Sequence, residues 1–400
     1  MNSVKEMKDN VAYIISQALN DASASVVTNV PGSGGSQVFE AYSAIASAVC
    51  LPSFHEEVAY TIAHGASLVG QRSATLVKAH GLAKAANSVV DSLSTGVRAG
   101  FVVLVFDDKQ GKHSDSIFDV AAFLKGLAIP FRSPKAHDLY HEVIDAFERS
   151  EDLCLPVAVL IDCDDLARTE TYTPRRIKYT SQSYQRNVAH NVLCPFLVEY
   201  QRAVLTAKLA GHDWQALTPP VLPDIPDFLP TEWQQALQIY TPLFEAFRKL
   251  RGDVVVSDAG ISTLFAFPPY DCIDICSYMG GSIPLASGAY LAGFKDVWAI
   301  TGDFSFIAAG HLGLLEARQR KIPLKVIILN NHRAQTTGGQ PIPPGILETI
   351  LQGYKPLLIT IKKPPGPGSG RGSFEGREAS TGDADYGGGF SVITGVVFDQ

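Results

Sequence analysis

The first part of the chain alternates short apolar runs with stretches whose apolar residues recur at helical spacing. The runs are SVVTNV, SATLVKA, GFVVLVFDD and PVAVLIDCD. Continuous apolar runs of this kind are typical of parallel strands that are buried on both faces of a sheet. Between them, AHDLYHEVIDAFERSED places Leu139, Val143, Ile144 and Phe147 on one helical face. The alternation predicts a doubly wound α/β domain over residues 1–165.

A second α/β pattern follows and predicts another domain at residues 233–362. WQQALQIYTPLFEAFRKL indicates a long helix, and GHLGLLEARQRK indicates a shorter one. The predicted strands are DVVVSDAG, DICSYMG, DVWAITGDF and LKVIILNN. Residues 166–232 are rich in Arg and Tyr and then in Pro, which is typical of a connector. The predicted fold class is therefore α/β, with two mostly parallel sheets that carry helices on both faces.

The pattern breaks after ITIKK, and residues 363–400 are rich in Gly and Ser without an apolar period. This composition predicts an irregular tail. A reading-frame slip is a second hypothesis. With a free choice of degenerate codons, the stretch can be back-translated and read one base over as DPEAVEAVLKEGKRAPEMRIMVVDF. That sequence would give an amphipathic helix and a buried strand, the elements that an α/β domain needs next.

Composition and charge exclude several classes of protein. The 400 residues are 46% hydrophobic and carry a net charge of −7 without a basic block, which argues against nucleic acid or anionic membrane as a partner. No apolar run reaches the roughly 18 residues of a membrane span, and MNSVKEMKDN is too polar for a secretory signal. Six scattered cysteines fit thiols in a reducing compartment. We expect a cytoplasmic protein.

Two predicted strands end in residues that suit a metal ion. Asp303 ends one strand, and Asn331 ends another strand 28 residues later. Because ligands sit at the carboxyl ends of parallel strands, both oxygens would lie side by side and could bind Mg²⁺. The helix that opens after Asp303 would direct N–H groups toward a diphosphate, and Gly302 and MGGS would allow close backbone approach. The alternative is that Asp303 caps a helix and the Asn pair makes a turn.

Two further segments carry polar groups near predicted helix starts. Glu56 and Glu57 open a helix in PSFHEEVA, where a carboxylate pair most often matches the helix dipole on a solvated face. VPGSGGSQ, with Ser33 and Ser36, is a Gly-rich turn between a strand and a helix. It lacks the dinucleotide fingerprint, so alone it indicates only a turn that could bind an anion.

Together these segments resemble a known family. The Gly-Asp and Asn-Asn pairs have the spacing of the thiamine diphosphate motif, and TGDFSFIAAGHLGLLEARQRKIPLKVIILNNHRAQTTGGQPIPPG resembles indolepyruvate:ferredoxin oxidoreductase α subunits. In the first half, NVPGSGGSQVFE, HEEVAYTIAHGASLVG, VKAHGLAKAAN and FDDKQGKHSDS follow the order of that family. The resemblance to these thiamine diphosphate-dependent 2-oxoacid oxidoreductases covers roughly residues 11–165 and 236–362.

The resemblance implies a role for each matching residue. The first domain would bind the cofactor pyrimidine, where Glu56 would hydrogen-bond the aminopyrimidine ring, Ser33 would lie near the substrate carboxylate, and His80 and His113 would line the pyrimidine side. The second domain would bind the diphosphate and Mg²⁺. Its cofactor-binding residues would be Gly280, Gly281, Ser282, Gly302, Asp303 and Asn331. The metal ligands would be Asp303, Asn331 and the carbonyl of Arg333.

The chain also departs from the family pattern. PTEWQQAL replaces an expected CPGC segment, Ile261 replaces a cysteine, and no segment ligates an iron–sulfur cluster. One hypothesis is a catalytic subunit that oxidatively decarboxylates a 2-oxo acid such as indolepyruvate, with coenzyme A and with ferredoxin reached through a separate subunit. The second is a non-oxidative decarboxylase or carboligase. The third is a non-catalytic scaffold. The family resemblance implies at least a homodimer or a heteromer.

Overall fold

The structure is a computed structural model that describes residues 6–46, 50–175, 177, 179–225, 229, 231–354, 357–361, 374–378 and 391–394. The chain divides into two compact units. Unit 1 comprises Met1–Gln185 and Arg202–Leu217, and unit 2 comprises Arg186–Gln201 and Thr218–Gln400. The predicted connector thus contributes residues to both units, and the predicted domain boundaries stay predictions.

Unit 1 is built on a parallel sheet of five strands. Unit 1 as a whole has seven described strands, namely β1 (Met7–Asn10), β2 (Val26–Asn29), β3 (Ser73–Lys78), β4 (Phe101–Asp107), β5 (Phe131–Arg132), β6 (Val157–Asp162) and β7 (Thr169–Tyr172). Its first seven helices are α1 (Val11–Asp21), α2 (Gly35–Ala46), α3 (Glu56–Leu68), α4 (Ala79–Lys84), α5 (Ala86–Thr95), α6 (Val120–Gly126) and α7 (Leu139–Leu153). The sheet has the order β2-β3-β4-β6-β5, while β1 and β7 form a separate antiparallel pair.

The continuous apolar run of β4 fills two cores at once. Val102, Leu104 and Phe106 pack with buried residues of α1, α2 and α7, whereas Val103 and Val105 pack with buried residues of α3 to α6. Successive side chains of a strand point to opposite faces, so every position of a central strand must be apolar when helices cover both faces. The predicted sheet with helices on both faces is confirmed here.

Unit 2 contains a second, mostly parallel sheet. Its strands are β8 (Val254–Asp258), β9 (Ile275–Ser277), β10 (Val297–Gly302), β11 (Lys325–Leu329), β12 (Leu357–Ile361), β13 (Phe374–Glu378) and β14 (Ser391–Thr394). The remaining helices of the chain are α8 (Val188–Asn191), α9 (Val198–Ala210), α10 (Thr231–Phe247), α11 (Ser282–Leu291), α12 (Asp303–Ser305), α13 (His311–Gln319) and α14 (Ile346–Leu351). The strand order is β13-β12-β14-β11-β10-β8-β9. Among the described strands of this sheet, β12 and β13 alone pair antiparallel.

Two of these strands, β13 and β14, lie in the segment predicted as an irregular tail. β14 pairs in parallel with both β11 and β12, so this part of the tail belongs to the sheet. The other residues of 363–400 lie outside the described residues. The irregular tail and the reading-frame slip both stay predictions.

No helix among the described ranges is long and apolar enough to cross a membrane.

Candidate active site

Asp303 and Asn331 meet at the carboxyl ends of two neighbouring strands. β10 and β11 run in parallel with Gly302 opposite Leu329, which brings the residues after both strands to one edge. Asp303 is 3% exposed. Its Oδ2 accepts the backbone N–H of Asn331 at 3.1 Å, and its Oδ1 accepts that of Phe304 at 2.8 Å. Burial raises the pKa of the Asp303 carboxyl, while these backbone donors act in the opposite direction.

The loop after β11 presents further oxygen atoms. The Oδ1 of Asn331 accepts the N–H of Arg333 at 3.2 Å, and the carbonyl of Arg333 accepts the N–H of Gln335 at 2.9 Å. His332 between them has a positive φ of 57°. The predicted metal ligands are thus one carboxylate, one amide and one carbonyl. This all-oxygen set suits Mg²⁺. Within the described ranges, no group of three or more His, Cys, Asp or Glu residues could hold a metal ion.

A cleft opens beside these residues. Asp303, Asn331 and Arg333 all line it. A Cβ atom added to Gly260 would meet nothing within 4 Å, and one on Gly302 would meet only the Ser305 hydroxyl at 4.0 Å. A diphosphate could therefore come close to the backbone at both glycines. The other lining residues are Tyr240, Ala259, Ile261, Ser262, Met279, Phe304, Ser305, Leu329, Ala334, Gln335, Thr336 and Thr337.

The predicted residues Gly280, Gly281 and Ser282 form a buried turn that begins α11. Gly280 has a φ of 88°, and a Cβ atom there would lie 2.6 Å from the Cβ of Ala309. A side chain at position 280 would therefore clash with the π-helical turn Phe306–Gly310, which joins α12 to α13. The N–H of Ser282 donates to Asp258 and that of Gly281 donates to the carbonyl of Tyr278. The turn is shaped by packing and internal hydrogen bonds.

In unit 1, Glu56 is the first residue of α3 and lies beside Gly81 of α4. Its side chain is 16% exposed, and its Oε2 lies 2.7 Å from the Nζ of Lys84. A Cβ atom at Gly81 would lie 2.7 Å from the Cγ of Glu56, so only glycine leaves room for this carboxylate. The neighbouring Glu57 accepts a hydrogen bond from Asn87 instead. The two adjacent carboxylates therefore have different surroundings.

The other predicted residues of unit 1 lie shortly after β2, β3 and β4. Ser33 and His113 lie in loops, whereas His80 lies in the first turn of α4. Ser33 is half-buried, and its carbonyl accepts a weak hydrogen bond from Cys163. The Nε2 of His80 lies 2.9 Å from the hydroxyl of Ser116. His113 is exposed, and its carbonyl accepts a hydrogen bond from the ammonium group of Lys78. Because β2, β3 and β4 run in parallel, all three residues follow strand ends at one edge of the sheet.

The sequence patterns did not single out three residues that lie near the predicted site residues. Lys84 pairs with Glu56, but helical spacing gave no sign of that pairing. Tyr240 is 2% exposed and lines the cleft together with Asn331. Burial and the nearby charge of Asp303 raise the pKa of its hydroxyl, while the Asn331 side chain acts in the opposite direction. Asp258 could have been found, because it ends a predicted strand in the same way as Asp303.

Residues 258–355 match the model of a protein family described as thiamine pyrophosphate enzyme, C-terminal TPP binding domain. The match begins at Asp258 and includes Asp303, Asn331 and Arg333. The matched residues all lie in unit 2.

Curated relatives extend the comparison. The chain is 33% identical over 145 residues to indolepyruvate oxidoreductase subunit IorA of Methanothermobacter thermautotrophicus, covering 35% of this chain and 24% of the relative. It is 30% identical over 143 residues to the same subunit of Thermococcus kodakarensis, covering 35% of this chain and 22% of the relative. The matched part spans only about a quarter of these relatives. The resemblance to this family is confirmed.

A solved structure shows the same fold. It is described as the Rhodococcus jostii RHA1 thiamine diphosphate-dependent 4-hydroxybenzoylformate decarboxylase. The TM-score is 0.62 at 16% sequence identity, and the alignment covers 98% of this chain and 100% of that one. At this identity the similarity concerns the fold alone. The predicted fold class is confirmed.

Proposed function

We propose that this chain binds thiamine diphosphate and Mg²⁺ and oxidatively decarboxylates a 2-oxo acid, as the catalytic subunit of a cytoplasmic oxidoreductase. The observation that carries the proposal is the contact between Asp303 and Asn331 at the ends of β10 and β11. These residues lie inside the matched thiamine pyrophosphate-binding domain. An arylpyruvate such as indolepyruvate is the favoured substrate, because the curated relatives carry that substrate in their name.

Unit 2 would hold the charged end of the cofactor. Asp303, Asn331 and the carbonyl of Arg333 would bind Mg²⁺, and the open space at Gly260 and Gly302 would admit the diphosphate. Asp303 is the one carboxylate among the three proposed ligands. Because its burial leaves few other partners for the charge, a divalent cation would stabilise the ionised form.

Unit 1 would hold the reactive end of the cofactor. When bound, thiamine diphosphate supplies the carbon nucleophile for the 2-oxo carbon and accepts the electrons released with CO₂. Glu56 would hold a proton on the pyrimidine ring by hydrogen bonding. Its ion pair with Lys84 and its packing against Gly81 fix the position of this carboxylate. Ser33, His80 and His113 are proposed to bind or orient the substrate and the pyrimidine.

The electrons would leave through a separate iron–sulfur subunit, with coenzyme A and ferredoxin as further reactants. We expect the chain to work as a homodimer or within a heteromer. The separate subunit is proposed because the six cysteines of the sequence form no run with cluster-type spacing. All six are free, and Cys194, Cys272 and Cys276 are buried.

The same cysteines favour a second candidate, a non-oxidative decarboxylase or carboligase. Such an enzyme needs no electron acceptor, because the carbanion left by CO₂ loss takes up a proton or adds to a second carbonyl compound. Glu56, Asp303 and Asn331 would keep their roles in that reaction.

The distinguishing experiment supplies the anoxic protein with thiamine diphosphate, Mg²⁺ and indolepyruvate or phenylpyruvate. CO₂ release and viologen reduction are followed together, with and without coenzyme A. Dye reduction that depends on coenzyme A would support the oxidoreductase. CO₂ with an aldehyde and no dye reduction would favour the decarboxylase. Folded protein that binds no cofactor would contradict both and favour a scaffold.

A further inference from the structure

Asp258 is a buried carboxylate that joins three segments at the carboxyl edge of the unit 2 sheet. It is the last residue of β8 and is 1% exposed. Its Oδ1 accepts the backbone N–H of Ser282 at 2.7 Å, and its Oδ2 accepts the hydroxyl of Thr301 at 2.5 Å. One side chain thus connects β8, the turn before α11 and the end of β10.

The donors to Asp258 are neutral groups. Among the described ion pairs, none includes Asp258. Asp274 is equally buried, but its carboxylate pairs with Arg251 and Arg186. A buried carboxylate without a cation loses hydration energy that its hydrogen bonds must offset, so the position of those donors is strongly constrained. Asp258 therefore fixes the backbone of the two segments that donate to it.

Both segments lead directly into the proposed cofactor site. Thr301 is followed by Gly302 and Asp303, which line the cleft, and the Gly280 turn is preceded by Met279, which also lines it. Asp258 itself does not line the cleft. A shift of either segment would move the diphosphate-binding surface relative to the Mg²⁺ ligands.

We propose that Asp258 is a positioning residue that holds the Gly280–Ser282 turn and the β10 end in register for thiamine diphosphate and Mg²⁺. This inference rests on the proposed function. Asp258 acts through its two donor segments and does not touch the cofactor. It corresponds to the outer groups that orient metal ligands, whose loss typically weakens binding about 10- to 100-fold.

The first test compares Asp258→Asn with Asp274→Asn as a matched control. Asparagine keeps the size but replaces one acceptor oxygen by an N–H₂ donor, so one of the two segments loses its acceptor. Calorimetric titration with thiamine diphosphate and Mg²⁺ should show a Kd about 10- to 100-fold higher for Asp258→Asn. Asp274→Asn should lower resistance to urea and leave the Kd unchanged. Equal Kd increases in both variants would show that the effect is general destabilisation and would overturn the inference.

The second test uses Thr301, which keeps the inference falsifiable if Asp258→Asn does not fold. Thr301→Val removes the hydroxyl at nearly constant volume, and Thr301→Ser restores it. The valine variant should bind thiamine diphosphate more weakly, and the serine variant should bind it as the wild type does. Wild-type affinity in the valine variant would overturn the inference. A wild-type protein that binds no thiamine diphosphate would instead contradict the proposed function.

Discussion

The carboxylate of Asp303 accepts the backbone N–H of Asn331 at 3.1 Å, across the ends of two adjacent parallel strands. This hydrogen bond fixes the spacing of two residues that are 28 positions apart in the chain and that we propose as oxygen ligands. Binding of Mg²⁺ between them would therefore need little movement of the backbone. The account depends on this pair more than on any other contact.

The first prediction concerns Asp303. Asp303→Asn keeps the side-chain size but removes the charge that attracts Mg²⁺, so Mg²⁺-dependent binding of thiamine diphosphate should weaken more than about 100-fold. Asp296→Asn is the control, since Asp296 lies before the other end of β10 and pairs with Lys325 at the surface. Calorimetric titration measures both. Unchanged affinity in Asp303→Asn would contradict the proposed metal site.

The second prediction separates Glu56 from its neighbour. Glu56→Gln should bind thiamine diphosphate within a few-fold of the wild type but lower the rate of CO₂ release by about 10²- to 10⁴-fold. Glu57→Gln should retain the rate. Glu57 lies in the same first turn of α3 as Glu56, but its carboxylate contacts Asn87 of α5. Both substitutions remove one charge from the start of α3, which controls for the helix dipole. Equal losses in the two variants would argue against a specific role for Glu56.

The third prediction concerns the pH dependence of stability. Burial lowers the pKa of His64 from 6.5 to about 4 in the folded protein, where its Nε2 meets the carbonyl of Gly96. Above pH 6.5 the His64 side chain is neutral in both the folded and the unfolded state. Below it only the unfolded chain takes up the proton, so the folded state loses stability until about pH 4. Between pH 7 and pH 5 the free energy of unfolding should fall by about 2 kcal/mol through His64.

Urea unfolding at both pH values tests this in the wild type and in His64→Gln. The variant should show a smaller loss on acidification, because it lacks the group that protonates in the unfolded state. Asp91 acts in the opposite direction, since burial raises its pKa to about 6, but it is present in both proteins. Identical losses in the two proteins would show that His64 makes no contribution.

The fourth prediction compares a buried with an exposed ion pair in unit 1. Arg72 is 3% exposed and donates two hydrogen bonds to Glu151, each 2.7 Å long. Arg72→Met would leave that carboxylate without its partner and should lower the free energy of unfolding by about 3–5 kcal/mol. Arg132→Met breaks an exposed pair with Glu142 and should lower it by less than about 1 kcal/mol. Urea unfolding measures the free energy of unfolding of both variants. Equal decreases would contradict the larger contribution that we assign to the Arg72–Glu151 pair.

The strands and helices that carry the site could be predicted from the sequence, because local patterns determine them. β4 and β10 are short apolar runs in parallel sheets, and strand-end polarity identified Asp303 and Asn331. The β1–β7 pair could not be predicted, since Met7 pairs with Tyr172 across most of unit 1 and both strands are partly exposed. The position of Tyr240 beside Asn331 in the cleft depends on how α10 packs, which local spacing does not encode.

The roles of Gly280 and Asp258 also depend on tertiary structure. The sequence indicated that Gly280 would allow close approach, but only the structure identifies the neighbour as Ala309. Asp258 ends β8 and Asp303 directly follows β10, yet Asp258 accepts hydrogen bonds from Ser282 and Thr301 and does not line the cleft. Strand-end position alone does not separate a proposed metal ligand from a residue that is proposed to orient it.

The most direct test of the central claim measures labelled CO₂ from phenylpyruvate or indolepyruvate that carries ¹³C in the carboxyl group. The protein is purified without cofactor and assayed with thiamine diphosphate and Mg²⁺ added singly and together. We predict release of labelled CO₂ only when both are present, and none from Asp303→Asn. Cofactor-loaded wild-type protein that releases no labelled CO₂ from either compound or from pyruvate would contradict the account.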